Sequence, residues 1–139
     1  MIAYFDTSSL VPLLVDEPGS DAAVQVWDAA TVIVGIRLLY AEGHAALAMA
    51  HRLGRLSGSS TRAALAELRR RYEEMDVFEV SDALVRRAGV LAEEHGLRGY
   101  DAVHLAAACS LPAADLVFVS GDHALGRAAA AEGMAVART

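Results

Sequence analysis

Lysine is absent from this chain of 139 residues: all twelve basic residues are arginines. A phosphoacceptor receiver domain holds its phosphoryl group with a lysine, so that class is excluded. One cysteine, Cys109, leaves no internal disulfide framework to consider. No apolar stretch approaches the ~20 residues that a bilayer span needs. The apolar N-terminus has no basic region before it and is interrupted at Asp6, so no signal peptide is expected. The formal net charge of −6 excludes a generic nucleic-acid coat protein, which needs a basic surface.

Hydrophobic residues make up 55% of the chain, enough to build a core without metal or disulfide staples. No repeat, low-complexity tract or linker divides it, so a single domain spanning 1–139 is expected, cytoplasmic and outside any membrane. The positive charge is uneven. Arg52, Arg55, Arg62, Arg69, Arg70, Arg71, Arg86 and Arg87 fall in one central stretch. Arginine's planar fork suits phosphate, but solvated helix faces would carry the same residues.

Apolar runs alternate with capped helical patterns. Strands are expected at 2–6, 31–34, 77–80, 116–120 and 134–137, the first and fourth being the clearest apolar runs. Helices are expected after Thr7-Ser8-Ser9, from Ser20-Asp21 to about Ala30, and from about Arg37 to Leu53. Others run from the Ser57 cap to about Met75, from the Ser81 cap to about His95, from Asp101 to about Leu111, and from Asp122 to Glu132. This alternation indicates an α/β fold with a mainly parallel central sheet flanked by helices.

Four carboxylates stand out on that frame. Asp6 and Asp122 follow the ends of expected strands, where open parallel sheets bind ligands. Glu42 shares a helix face with Leu38, Leu39, Ala45, Ala46 and Met49 by three- and four-residue spacing, so it either snorkels at the edge of that stripe or points into a site. Asp101 opens its helix, where an N-cap is the alternative role. Singly, each has a structural explanation. Brought together, they would need protons, cations or a divalent metal to offset their repulsion.

The run Tyr4-Phe5-Asp6-Thr7-Ser8-Ser9-Leu10-Val11, with Asp16-Glu17-Pro18-Gly19-Ser20 after it, resembles the opening of a PIN-domain ribonuclease of the VapC toxin type. Leu39-Tyr40-Ala41-Glu42 is similar to the second acidic motif of that family, and Leu97-Arg98-Gly99-Tyr100-Asp101-Ala102-Val103-His104-Leu105 to the third. Val119-Ser120-Gly121-Asp122 looks like the fourth. The resemblance runs the length of the chain in order. It implies the PIN fold and an endoribonuclease that acts as the toxin of a type II toxin–antitoxin pair. It also implies Asp6, Glu42, Asp101 and Asp122 around Mg²⁺ or Mn²⁺, with Thr7, Ser8 and Ser120 as supporting hydroxyls. RNA would be the substrate, a cognate antitoxin the partner, and a homodimer the assembly. Such an ion takes hard oxygen ligands, activates water and offsets charge on phosphorus oxygens. Pro12 departs from the pattern, standing where members of the family often carry a basic residue.

Other readings are weaker. A haloacid-dehalogenase-type phosphatase would want a second aspartate at position 8, where Ser8 stands. His44 and His51 are seven residues apart with no cysteine pair nearby, which does not make a zinc site. His104, one turn from Asp101, is either a packed histidine or a partner that orients that acid. Gly43 lowers helix stability and would permit close packing near Glu42. The stretches 10–15 and 46–50 are either core or an exposed groove for another chain. A catalytically silent binding module that keeps the fold without turnover is the alternative function.

Overall fold

The computed structural model describes residues 1–139, the side chain of Ala113 excepted. Strands β1 (Ile2–Phe5), β2 (Val32–Ile36), β3 (Asp76–Phe78), β4 (Leu116–Ser120) and β5 (Ala135–Arg138) form one sheet in the order β3-β2-β1-β4-β5. Every pairing is parallel. The helices are α1 (Thr7–Leu10), α2 (Ser20–Ala29), α3 (Leu39–Arg52), α4 (Gly58–Glu73), α5 (Asp82–His95), α6 (Gly99–Cys109) and α7 (His123–Ala131).

Alternation along the strands feeds two cores, one on each face of the sheet. Tyr4, Val34, Ile36, Leu116 and Phe118 pack under α5, α6 and α7. Ala3, Phe5 and Val119 pack against Leu10, Trp27, Leu47 and Leu68 on the other face. Aromatic pairs seal both layers. Tyr4 stacks on Phe118 at 5.3 Å, and Phe5 meets Trp27 edge-on at 5.2 Å. From β1 the chain builds β2 and β3 to one side, then returns to lay β4 and β5 on the other. The crevice beyond the carboxyl ends of β1 and β4 is therefore the topological switch point.

Several boundaries differ from expectation. β2 continues through Gly35 and Ile36 instead of stopping at Val34. A side chain at Gly35 would place its Cβ 2.7 Å from Met75 Cε, so the glycine serves close packing inside the strand. β3 is shorter and earlier than 77–80, and β5 is displaced by one residue from 134–137. α3 starts at Leu39, after Arg37 has bonded through its N–H to the Phe78 carbonyl. α6 starts at Gly99, two residues before Asp101. Among the described residues no helix is long and apolar enough to cross a membrane.

Candidate active site

Asp6 leaves β1 directly into the switch-point crevice and is only 4% exposed. Its carboxylate caps α1, accepting from Ser9 N at 2.9 Å; the capping role expected of Thr7-Ser8-Ser9 falls to Asp6 instead. Ser8 Oγ donates to Oδ1 at 2.8 Å, and Ser120 Oγ, from the end of β4, donates to Oδ2 at 2.7 Å. Each serine then accepts a backbone N–H from the turn after β4: Gly121 N to Ser8 Oγ at 2.9 Å and Asp122 N to Ser120 Oγ at 3.0 Å. The β4 turn is thereby tied to β1 through one buried acid. Burial raises the Asp6 pKa above the ordinary carboxylate value, outweighing His104, Ser120, Ser8 and Ser9, which pull it down.

Ser8 and Ser120 thus stand beside the acid as the sequence implied. Thr7 does not: its buried Oγ1 has no hydrogen-bond partner. Ser9 was missed by sequence reasoning, although Ser9 Oγ also donates to the Asp6 carbonyl at 2.9 Å. The signal was present, since an aspartate at the end of a strand with a serine three residues on is an N-cap pattern.

Glu42 lies in the first turn of α3, and His104 lies buried in the middle of α6. His104 Nε2 is 3.2 Å from Glu42 Oε1, and His104 Nδ1 is 3.0 Å from Tyr4 Oη. One neutral tautomer satisfies both contacts: Tyr4 donates to Nδ1 while Nε2–H donates to the carboxylate. The Tyr4 pKa is held well above its ordinary value by burial first, then by the charges of Asp6 and Glu42, which keeps that hydroxyl a donor. The histidine meets Glu42 and not Asp101; of its two readings, the packed histidine is the observed one. Of the two readings of Glu42, pointing inward is the observed one.

Asp101 sits in the first turn of α6 with Arg98 at the cap position, so Asp101 is not the cap. Asp122 caps α7, its Oδ1 accepting from Leu125 N at 3.0 Å. Arg98 joins the two acids. Its Nε donates to Asp101 Oδ2 at 2.9 Å, and its terminal nitrogen lies 3.6 Å from Asp122 Oδ2. His123 turns away to Arg138.

Three links therefore join these residues: Ser120 Oγ donates to the Asp6 carboxylate and accepts the Asp122 backbone N–H, His104 stands between Tyr4 and Glu42, and Arg98 spans Asp101 and Asp122. Four acids face one exposed arginine, and among the described residues no other arginine pairs with any of them. Hard oxygen donors with that charge imbalance fit a hard divalent cation better than a soft one. The tightest ligand grouping among the described residues lies elsewhere. Glu94, His95 and Glu132 bring their ligand atoms within 4.8 Å of one another. Glu132 follows the far end of α7 from Asp122, and its carboxylate is already engaged by His95 at 2.8 Å.

A parallel sheet in this strand order with acids at its switch point defines a PIN-type nuclease fold, and the profile of the PIN domain matches residues 3–131. The chain belongs to the PIN-domain family. It is 39% identical to ribonucleases VapC45 and VapC49 of Mycobacterium tuberculosis (strains CDC 1551 / Oshkosh and ATCC 25618 / H37Rv), across 98% of this chain and 94% of each relative. The crystal structure of PAE2754 from Pyrobaculum aerophilum superposes with a TM-score of 0.69 at 25% identity, covering 98% of this chain and 92% of that one.

Proposed function

We propose that this chain is a Mg²⁺- or Mn²⁺-dependent endoribonuclease, the toxin of a type II toxin–antitoxin pair, acting in the cytoplasm as a homodimer. The observation that carries the reading is Asp6 and Asp122 at the switch point, with Asp101 joined to Asp122 by the exposed Arg98 and Glu42 held by His104. These acids would hold the ion, which supplies an activated water and offsets charge on the scissile phosphate. Asp6 is held rigidly by Ser8, Ser9 and Ser120, so its lone pairs are presented without a cost in ordering. Glu42 is aimed by His104, itself pinned by Tyr4, an arrangement that fixes a ligand's direction from behind. No histidine or cysteine nucleophile is needed: His104 is buried behind Glu42.

A groove of about 460 Å³ between Val11, Val15, Ala46, Met49, Ala50 and Leu56 supports the partner reading. Leu10 and Leu13 are core, whereas Met49 is 55% exposed on the groove side. An amphipathic segment of the antitoxin is the occupant that suits it.

The test is cleavage of total cellular RNA by the purified protein with Mn²⁺, with EDTA, and as the Asp101→Asn variant. Discrete fragments should form with Mn²⁺ and vanish in the other two. Intact RNA under every condition, from a folded protein that binds Mn²⁺, would leave a binding module in place of an enzyme.

A further inference from the structure

We infer that Arg98 is a built-in competitor of the metal that turns to the RNA phosphate once the ion is bound; this rests on the nuclease reading above. Asp122 Oδ1 is spent on the α7 cap, so Oδ2 is its free oxygen, and Arg98 lies 3.6 Å from that atom. Asp101 presents Oδ2 to Arg98 Nε at 2.9 Å. The guanidinium therefore covers an outward-facing oxygen on each of two acids that would hold the ion. An ion drawn to those acids meets a guanidinium hydrogen-bonded to Asp101 and 3.6 Å from Asp122, and the two positive charges repel.

Arg98 is free to leave. Its side chain is 81% exposed, and it caps α6 through backbone groups alone, with no side-chain cap bond. Pairing of this exposed kind is weak and readily exchanged. Released, the fork sits at the rim of the crevice within a side chain's reach of Asp101 and Asp122. The ligand that would next meet it there is a phosphodiester, which guanidinium binds bidentately. Metal and RNA binding are then coupled through one side chain. The acids release Arg98 when the ion arrives, so its phosphate contact becomes available only in the loaded site.

Manganese affinity measured by electron paramagnetic resonance on wild type, Arg98→Ala and Arg98→Lys tests this, together with KM for a fluorogenic RNA at saturating Mn²⁺. Arg86, an exposed arginine paired with Asp82 on α5, supplies the charge control as Arg86→Ala. Expected is Mn²⁺ binding about three- to tenfold tighter in Arg98→Ala, by removal of exposed ion pairs. Arg98→Lys should tighten it less, having kept the charge and lost the bridge. KM in Arg98→Ala should rise several-fold while kcat changes little, and Arg86→Ala should move neither quantity. Unchanged or weaker Mn²⁺ binding in Arg98→Ala would overturn the competition. Equal tightening in Arg86→Ala would reduce it to overall charge and overturn it too. A wild type and an Arg98→Ala variant that both fail to bind Mn²⁺ would remove the metal reading itself, a different failure.

Discussion

Asp6 shows what a buried acid at the candidate site costs the fold. It is buried, meets no arginine, and relies on Ser8, Ser9 and Ser120 to hold its charge. Its pKa is raised in the folded state, so above the ordinary carboxylate value the native protein retains a proton that the unfolded chain has released. Stability from this group therefore falls as pH rises through that window and recovers as pH drops toward about 4. Asp6→Asn keeps a cap acceptor for Ser9 N and removes the charge. In metal-free buffer it should raise the thermal midpoint by about 3 °C near pH 8, with the gain shrinking toward pH 4. Calorimetry across that range checks it. A variant less stable at every pH would make the charge itself structural. The aspartate was legible in the sequence because it terminates an apolar strand. The role of His104 was not, since Tyr4 in β1 lies 100 residues away along the chain and Glu42 in α3 lies 62 away.

Elements were legible wherever one local pattern sufficed. Ser57 and Ser81 cap α4 and α5 as the sequence indicated, accepting from Ser60 N and Leu84 N. The strands announced themselves by apolar runs, and their ends blurred where packing overrode propensity, as at Gly35. Gly43 is the clearest case of an element's requirement visible as an oddity. A Cβ there would stand 3.0 Å from both Leu68 methyl carbons, and Leu68 on α4 is fully buried. The close approach of α3 to α4, which seats Glu42 at the crevice, depends on that missing carbon. Alanine would gain up to about 1 kcal/mol of helix propensity. Displacing a packed leucine costs about 1–3 kcal/mol. The net expectation for Gly43→Ala is a loss of about 1 kcal/mol in urea denaturation. Adding Leu68→Ala, itself a loss of about 2–5 kcal/mol, should give a double variant more stable than the sum of the singles. Strict additivity would show that the two do not meet.

At the scale of the molecule, the proposed activity poses the question of how an acidic protein would grip RNA. The central arginines looked like one basic patch in the sequence, and folding divides them. Arg70 and Arg71 pair with Glu67, Arg86 with Asp82 and Arg87 with Glu132, and Arg71 also covers the Trp27 ring at 4.7 Å. Such pairing was not readable, because it depends on which helix faces meet. Arg52, Arg55, Arg62 and Arg69 remain without an ion pair among the described residues, on α3, on α4 and between them. Arg52 is ten residues along α3 from Glu42, about 15 Å at 1.5 Å per residue. Arg52 is therefore set back from Glu42, where it can hold a flanking phosphate without neutralising that acid. Contact with so few phosphates implies a shallow salt dependence. At about 0.7 per contact for single strands, log KM should rise with log salt at a slope between about 1 and 3 from roughly 50 to 200 mM NaCl. Arg62 and Arg69, seven residues apart on α4, share a face. Replacing both with alanine should lower that slope by about 1.4 and leave kcat at saturating RNA unchanged. An unaltered slope would place the RNA on another face of the molecule. A wild-type slope near 6 would mean that the paired arginines release their carboxylates to bind it.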